Sequence, residues 1–136
     1  MTQPRRDLRS FKRDQAGATA VEFALVSTAL FAFIFGIAAL GMMLFNDLSL
    51  QWAVTKASRI AEINNAATQS DVSTAVNAYL AQMSLPTATV SYSSSVGVNG
   101  VRTANISASY TQTYMVPMIS TFTINFNSAV TVPQPS

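Results

Sequence analysis

The sequence predicts an α+β fold: a long N-terminal helix that crosses a membrane, a second, short amphipathic helix, and a three-stranded antiparallel sheet. Three observations predict it. Residues 23–45 carry no charge, a helical period continues beyond them to Met83, and the period changes from 3.6 to 2 after Thr87.

The uncharged run holds 23 residues and is bounded by Phe23 and Phe45. As a helix it extends about 35 Å at ~1.5 Å per residue, enough for a hydrocarbon core of about 30 Å with some tilt. A cleaved secretory signal has a shorter apolar core and a small-residue cleavage site, whereas this run ends in Met42-Met43-Leu44-Phe45-Asn46-Asp47. The same missing site counts against a twin-arginine reading of Arg5-Arg6. Ahead of the run, Arg5, Arg6, Arg9, Lys12 and Arg13 against Asp7 and Asp14 leave a net +3; behind it, Asp47, Lys56, Arg59 and Glu62 cancel. The positive-inside rule then keeps the N-terminus cytoplasmic and exports the C-terminal part.

The helix is expected to continue past the membrane to about Asn64, with Leu48, Trp52, Thr55, Arg59 and Ile63 in helical register. Trp52 is read as the first aromatic of the exported core, in preference to an interfacial anchor, because roughly 10 Å of helix separates it from Phe45. Asn64-Asn65 supplies a stop. The second helix is expected to be capped by Ser70, with Asp71 in its first turn and Val72, Ala75, Val76, Tyr79, Leu80 and Met83 on one face, ending at Pro86.

From Thr87 the apolar residues fall on even positions. Val90, Tyr92, Val96 and Val98 form one run, Ile106, Ala108 and Tyr110 a second, and Phe122, Ile124, Phe126, Val130 and Val132 a third. Asn99-Gly100 marks a hairpin between the first two. The opposite face is rich in Ser, Thr and Asn, and residues 120–132 would offer a pairing edge if they lie outermost. The last five residues, with Pro133 and Pro135, read as an extended, mobile tail.

Composition narrows function by exclusion. Charged residues make up only 10% of the chain, hydrophobic ones 49%, and the formal charge of +2 arises in the leader. Downstream of Gly17 only Lys56, Arg59 and Arg102 are basic, too few for a nucleic-acid footprint, so no nucleic acid partner is expected. With no cysteine and no histidine, disulfides, thiolate metal sites and the commonest general base are all missing. Asp47, Glu62 and Asp71 stand singly, so no catalytic residue, metal or cofactor is expected. The Gly97 to Gly100 turn lacks the spacing and lysine of a phosphate loop, and the Asn105-Ile106-Ser107 sequon lies within a strand.

One carboxylate stands apart. Glu22 lies at the mouth of the apolar helix, five residues after Gly17, where a charge near the membrane asks for a reason. A first-turn acid stabilised by the helix dipole is one reason. The other is pairing: a chain cut between Gly17 and Ala18 would carry a free ammonium one turn from Glu22, and neutralising these charges across subunits would fix the axial offset of neighbouring helices.

A short basic leader, a glycine, an acid at the fifth following position and an unbroken apolar helix resemble the class III signal of type IV prepilins. Residues 17–26, Gly17-Ala18-Thr19-Ala20-Val21-Glu22-Phe23-Ala24-Leu25-Val26, are especially similar to the opening of TadE-like proteins, the pseudopilins or minor pilins of the tight adherence (Tad/Flp) pilus. The resemblance implies a pilin-like fold and cleavage by a prepilin peptidase after Gly17, which makes Ala18 the mature N-terminus and Glu22 the fifth-position glutamate of assembly. It further implies an inner-membrane protein with a periplasmic C-terminal domain, serving surface adherence. Its partners would be other pilins or pseudopilins, inner-membrane assembly proteins and membrane lipid. Major Flp pilins are much shorter and usually place Tyr after the glutamate, where this chain has Phe23; ordinary type IV pilins and secretion pseudopilins commonly begin with Phe, where this chain has Ala18. The expected organisation is a leader at 1–17, a transmembrane and extended helix at 18–64, and an exported α+β domain at 65–136. The alternative is an uncleaved, single-pass, membrane-anchored periplasmic binding module of an envelope complex.

Overall fold

The computed structural model describes residues 15–97, 100–117 and 119–135. The basic leader residues Arg5 to Arg13, with Val98 and Asn99, lie outside them. The elements run α1 (Gln15–Ile63), α2 (Gln69–Gln82), β1 (Thr89–Val96), β2 (Arg102–Val116) and β3 (Ser120–Pro133). The architecture is the expected α+β one: a long N-terminal apolar helix, a second shorter helix and a three-stranded antiparallel sheet.

Helix α1 is continuous over 49 residues, about 73 Å at ~1.5 Å per residue. Its few hydroxyls within the apolar run turn back onto the helix: Ser27 Oγ donates to the carbonyl of Phe23, and Thr28 Oγ1 to that of Ala24 at 2.8 Å. Such back-bonding lets a hydroxyl sit in an apolar surrounding without an orphan donor. The helix stops at Asn64, whose side-chain Oδ1 accepts from the amide of Ala66, offering the chain a turn in place of the helical ladder.

Helix α2 is capped by Thr68, not by Ser70. The Thr68 hydroxyl accepts from the Asp71 amide, and the Asp71 carboxylate accepts from the Thr68 amide at 2.9 Å, a reciprocal capping box. The helix ends before Pro86 is reached. Ser84 takes a left-handed conformation (φ 57°), which lets its own amide bond to Ala81 and that of Leu85 bond to Leu80.

The sheet order is β1-β2-β3, so β3 is an edge strand. The β1–β2 hairpin forms where Asn99-Gly100 marked it, with Gly100 at φ 75° and the Gly97 amide bonded to the Val101 carbonyl. Even positions of β2 and β3 face the helices, and Ala104, Ile106, Ala108, Tyr110, Phe126 and Val132 are buried. In β1 the parity holds for Val90 and Tyr92 but fails in effect at Val96, which is exposed at the far end of its strand.

The helical layer contributes Leu50, Ala53, Val54, Ala57 and Ala61 from α1, and Val72, Val76 and Leu80 from α2. Ala75, Tyr79 and Met83 pack beside the α2 stripe. Each fully buried Leu, Ile or Val stabilises the fold by about 1.5–3 kcal/mol relative to exposure. The buried face of α1 differs from the expected one. Leu48 and Ile63 are exposed, and Trp52 is 44% exposed, its ring edge-on to Tyr79 (5.4 Å between centroids) with Lys56 Nζ 5.8 Å from its centre. Trp52 is therefore a flank residue between α1 and α2, not a core aromatic. Small side chains at 53, 57 and 61 let the helix backbone approach the sheet, and bulky ones are displaced to its sides.

The C-terminal residues also depart from expectation. Val132 is buried, and the Gln134 amide donates to the Arg102 carbonyl at 2.9 Å. The Gln134 side chain donates to Tyr92 Oη at 2.9 Å and accepts from Ser94 Oγ, tying the end of β3 across the sheet to β1. A buried glutamine with two side-chain partners and one backbone partner holds what the prolines alone would leave extended.

Candidate functional site

The features that could carry function are distributed along α1. At its start, Gly17, Ala18 and Glu22 are all exposed, and Ala18 and Glu22 are four residues apart, which places them on one face a single turn apart. A Cβ built on Gly17 meets nothing within 4 Å. The local fold thus places no steric demand for glycine at this position.

Beyond Glu22, α1 is long and apolar enough to cross a membrane, and its most apolar stretch buries nothing against the rest of the chain. Phe23, 74% exposed, and Phe45, 53% exposed, bound a segment in which the large side chains, among them Leu25, Phe33 and Leu40, project outward, save Met43, which packs partly against the core. A soluble helix so exposed would be amphipathic; this one is apolar all round, as lipid requires. Single-pass membrane anchoring fits the helix.

At the end of the apolar run the helix is fastened to the sheet. The side chain of Asn46, buried, donates from Nδ2 to Tyr114 Oη, while Tyr110 Oη donates to the Asn46 carbonyl at 3.3 Å. The two tyrosines stand on the inner face of β2 and stack across the strands on their register partners: Tyr110 on Phe126 (5.3 Å) and Tyr114 on Phe122 (5.8 Å). Burial pushes the Tyr110 phenol up to about 12, with Tyr114 and Asp47 adding to it. Burial also raises Tyr114, opposed by its bond from Asn46. This clasp was not anticipated. Its only sequence signals are an amide at the exact exit from the apolar run and two tyrosines at inward-facing parity.

Further down, the β2–β3 hairpin runs alongside the apolar run itself. Val116, Ile119 and Phe122 face Gly36, Ile37, Leu40 and Met43 across an open groove of about 340 Å³ whose lining is apolar throughout. Among the described residues no group of three or more His, Cys, Asp or Glu is placed to hold a metal ion.

The model of the family described as TadE-like protein matches residues 17–59, starting at Gly17 and running through the apolar segment into the part of α1 that packs on the sheet. Over those residues the chain is similar to the TadE-like family, which is consistent with a TadE-like protein of the Tad pilus system. Neither the curated proteins nor the solved structures provide a match.

Proposed function

We propose, from the TadE-like character of residues 17–59, that this chain is a pseudopilin or minor pilin that takes part in assembling a Tad/Flp-type pilus for surface adherence. In this reading it is a structural subunit and not an enzyme. A prepilin peptidase removes residues 1–17, residues 23–45 hold the chain in the inner membrane, and the remainder is periplasmic until it is recruited by other pilins and inner-membrane assembly proteins.

The observation that carries the reading is the junction itself: a glycine with open space around it, followed one turn later by an exposed carboxylate at the start of a lipid-compatible helix. Once Ala18 is the N-terminus, its ammonium and Glu22 offer two opposite charges within one helical turn of each other. In a low-dielectric surrounding such charges favour mutual neutralisation, within a chain or between neighbours, and pairing between neighbours would set the stagger of packed helices.

Mass spectrometry of the membrane-extracted protein from cells with an active prepilin peptidase tests this. The expected mature chain begins at Ala18; a chain that retains residues 1–17 there would support the uncleaved anchored module instead. Gly17→Ala is expected to retard processing with no loss of folding, since the added Cβ meets nothing. Glu22→Ala is expected to be processed normally and to lower pilus assembly. Full assembly by that variant would leave Glu22 a dipole-stabilised surface acid.

A further inference from the structure

The position of the β2–β3 hairpin relative to the apolar part of α1 has a consequence for the bilayer. Gly36 lies nine residues before Phe45, about 14 Å along the helix at ~1.5 Å per residue, and the hairpin tip shares a groove with Gly36. Whatever medium surrounds the helix at residues 36–43 also surrounds the tip.

We propose that the tip of the β2–β3 hairpin, through Met115, Val116, Pro117 and Ile119, is a second membrane contact that seats in the acyl and headgroup boundary of the outer leaflet of the inner membrane. The inference rests on the membrane reading of α1 given above. Its own support is independent of the junction. The tip sequence Met115-Val116-Pro117-Met118-Ile119 is apolar, and no charged residue follows Arg102 in the chain. Met115 is 81% exposed on the sheet face that otherwise presents Thr111, Thr113, Thr121 and Thr123, and Ile119 is 58% exposed. Exposed Met115 and Ile119 adjoin the apolar groove lined by Val116 and Phe122, and a contiguous apolar patch of this kind marks a contact surface, here one that lipid would cover.

Backbone hydrogen bonding sets the depth. Within the tip, Val116 pairs with Ser120 and the Ile119 amide donates to the Val116 carbonyl, so the turn satisfies much of its own polar backbone. Behind it, β1 pairs with β2 only as far as Ser109, which leaves the outer edge of β2 from Tyr110 onward, and that of β3, without a strand partner among the described residues. Open edges are excluded from hydrocarbon, so the tip enters and the strands stay in water. The outer boundary of the hydrocarbon then crosses α1 between Gly36 and Met43. A core that takes about 20 helical residues places the inner boundary between about residues 16 and 23, where Gly17, Ala18 and Glu22 lie. The span is accordingly displaced toward the N-terminus relative to residues 23–45.

The absence of cysteine from the chain makes the test direct. Single cysteines at Leu30, Met115, Ile119 and Ser95 are labelled with an environment-sensitive fluorophore, and the full chain is reconstituted in phosphatidylethanolamine–phosphatidylglycerol vesicles with or without nitroxide-bearing lipid. All four side chains are exposed, so labelling leaves the core intact; circular dichroism checks this. The expected result is blue-shifted emission and quenching by the lipid nitroxide at Leu30, Met115 and Ile119, with Ser95 unaffected. Quenching at Leu30 with Met115 and Ile119 behaving like Ser95 overturns the tip contact and leaves the anchored helix standing. Failure of quenching at Leu30 as well overturns both. Shielding of the tip labels from water without lipid quenching, accompanied by cross-linking between chains, assigns the tip to a protein neighbour and overturns the proposal.

Discussion

Asn46 stands where the apolar run of α1 meets the part of the helix that packs on the sheet. Its side chain and carbonyl are both engaged by tyrosines of β2, so the first polar side chain after the apolar run is held by hydrogen bonds to the sheet. Tyr114→Phe removes the acceptor of the Asn46 amide and leaves a buried donor unpaired, at a cost of about 1–3 kcal/mol. Urea unfolding of the detergent-solubilised chain should show that loss; an unchanged midpoint would mean that the amide finds another partner. Tyr110 gives the same clasp a pH dependence. Its folded value, about 12, exceeds the ordinary 10, so the folded state holds a proton that the unfolded chain releases between them. Its contribution is therefore complete below pH 10 and is lost as pH rises toward 12. Tyrosinate absorbance followed alongside unfolding should place the alkaline transition in that window, and Tyr110→Phe should flatten its slope.

At the level of elements, α2 is a short helix fixed by its ends. The Thr68 box satisfies two first-turn amides, and the amide of Asn77 brackets Ala88, accepting from its N–H at 2.8 Å and donating to its carbonyl. Thr68→Ala should lower stability by about 1 kcal/mol. The backbone and hydroxyl of Thr68 hold the Asp71 carboxyl below its ordinary 3.8, so its stabilisation is present above that value and is lost as pH falls through the lowered one. Acid unfolding curves of Thr68→Ala and the parent should converge at low pH; curves that stay parallel would remove Asp71 from the explanation. The strands and the α2 stripe were legible because a strict period repeats over several residues, and the parity of β2 and β3 carried through to burial. The buried face of α1 was not legible for a physical reason. Size and hydrophobicity single out Leu48, Trp52 and Ile63, whereas close packing against a sheet selects Ala53, Ala57 and Ala61. Ser70 and Thr68 are both competent caps, and only the position of Asp71 three residues after Thr68 separates them. The role of Gln134 depends on a partner 42 residues away, which no local pattern encodes. For the candidate site, the proposal at the junction uses only local sequence, whereas the Asn46 clasp joins residues 68 apart, which no local pattern encodes.

Across the whole molecule, α1 joins two unlike parts without a break. Its first part buries nothing within the chain, and its last part supplies five residues to the core. No linker separates the two, so the α+β part moves as one body with the apolar run. This has a consequence for where the fold can be divided. A fragment of residues 65–136 keeps α2 and the whole sheet but loses Leu50, Ala53, Val54, Ala57 and Ala61, which cover the inner faces of β2 and β3. Ile106, Tyr110 and Phe126 would then meet water over a contiguous apolar area, and a sheet so uncovered is expected to aggregate or remain unfolded. A fragment of residues 46–136 retains those five side chains and the Asn46 clasp while shedding the lipid-facing run, and it should fold as a soluble, cooperatively unfolding domain. Circular dichroism and amide dispersion in proton NMR distinguish the outcomes. A cooperative melt from the 65–136 fragment would show that the sheet and α2 suffice, and that the second half of α1 lies on a fold already complete without it.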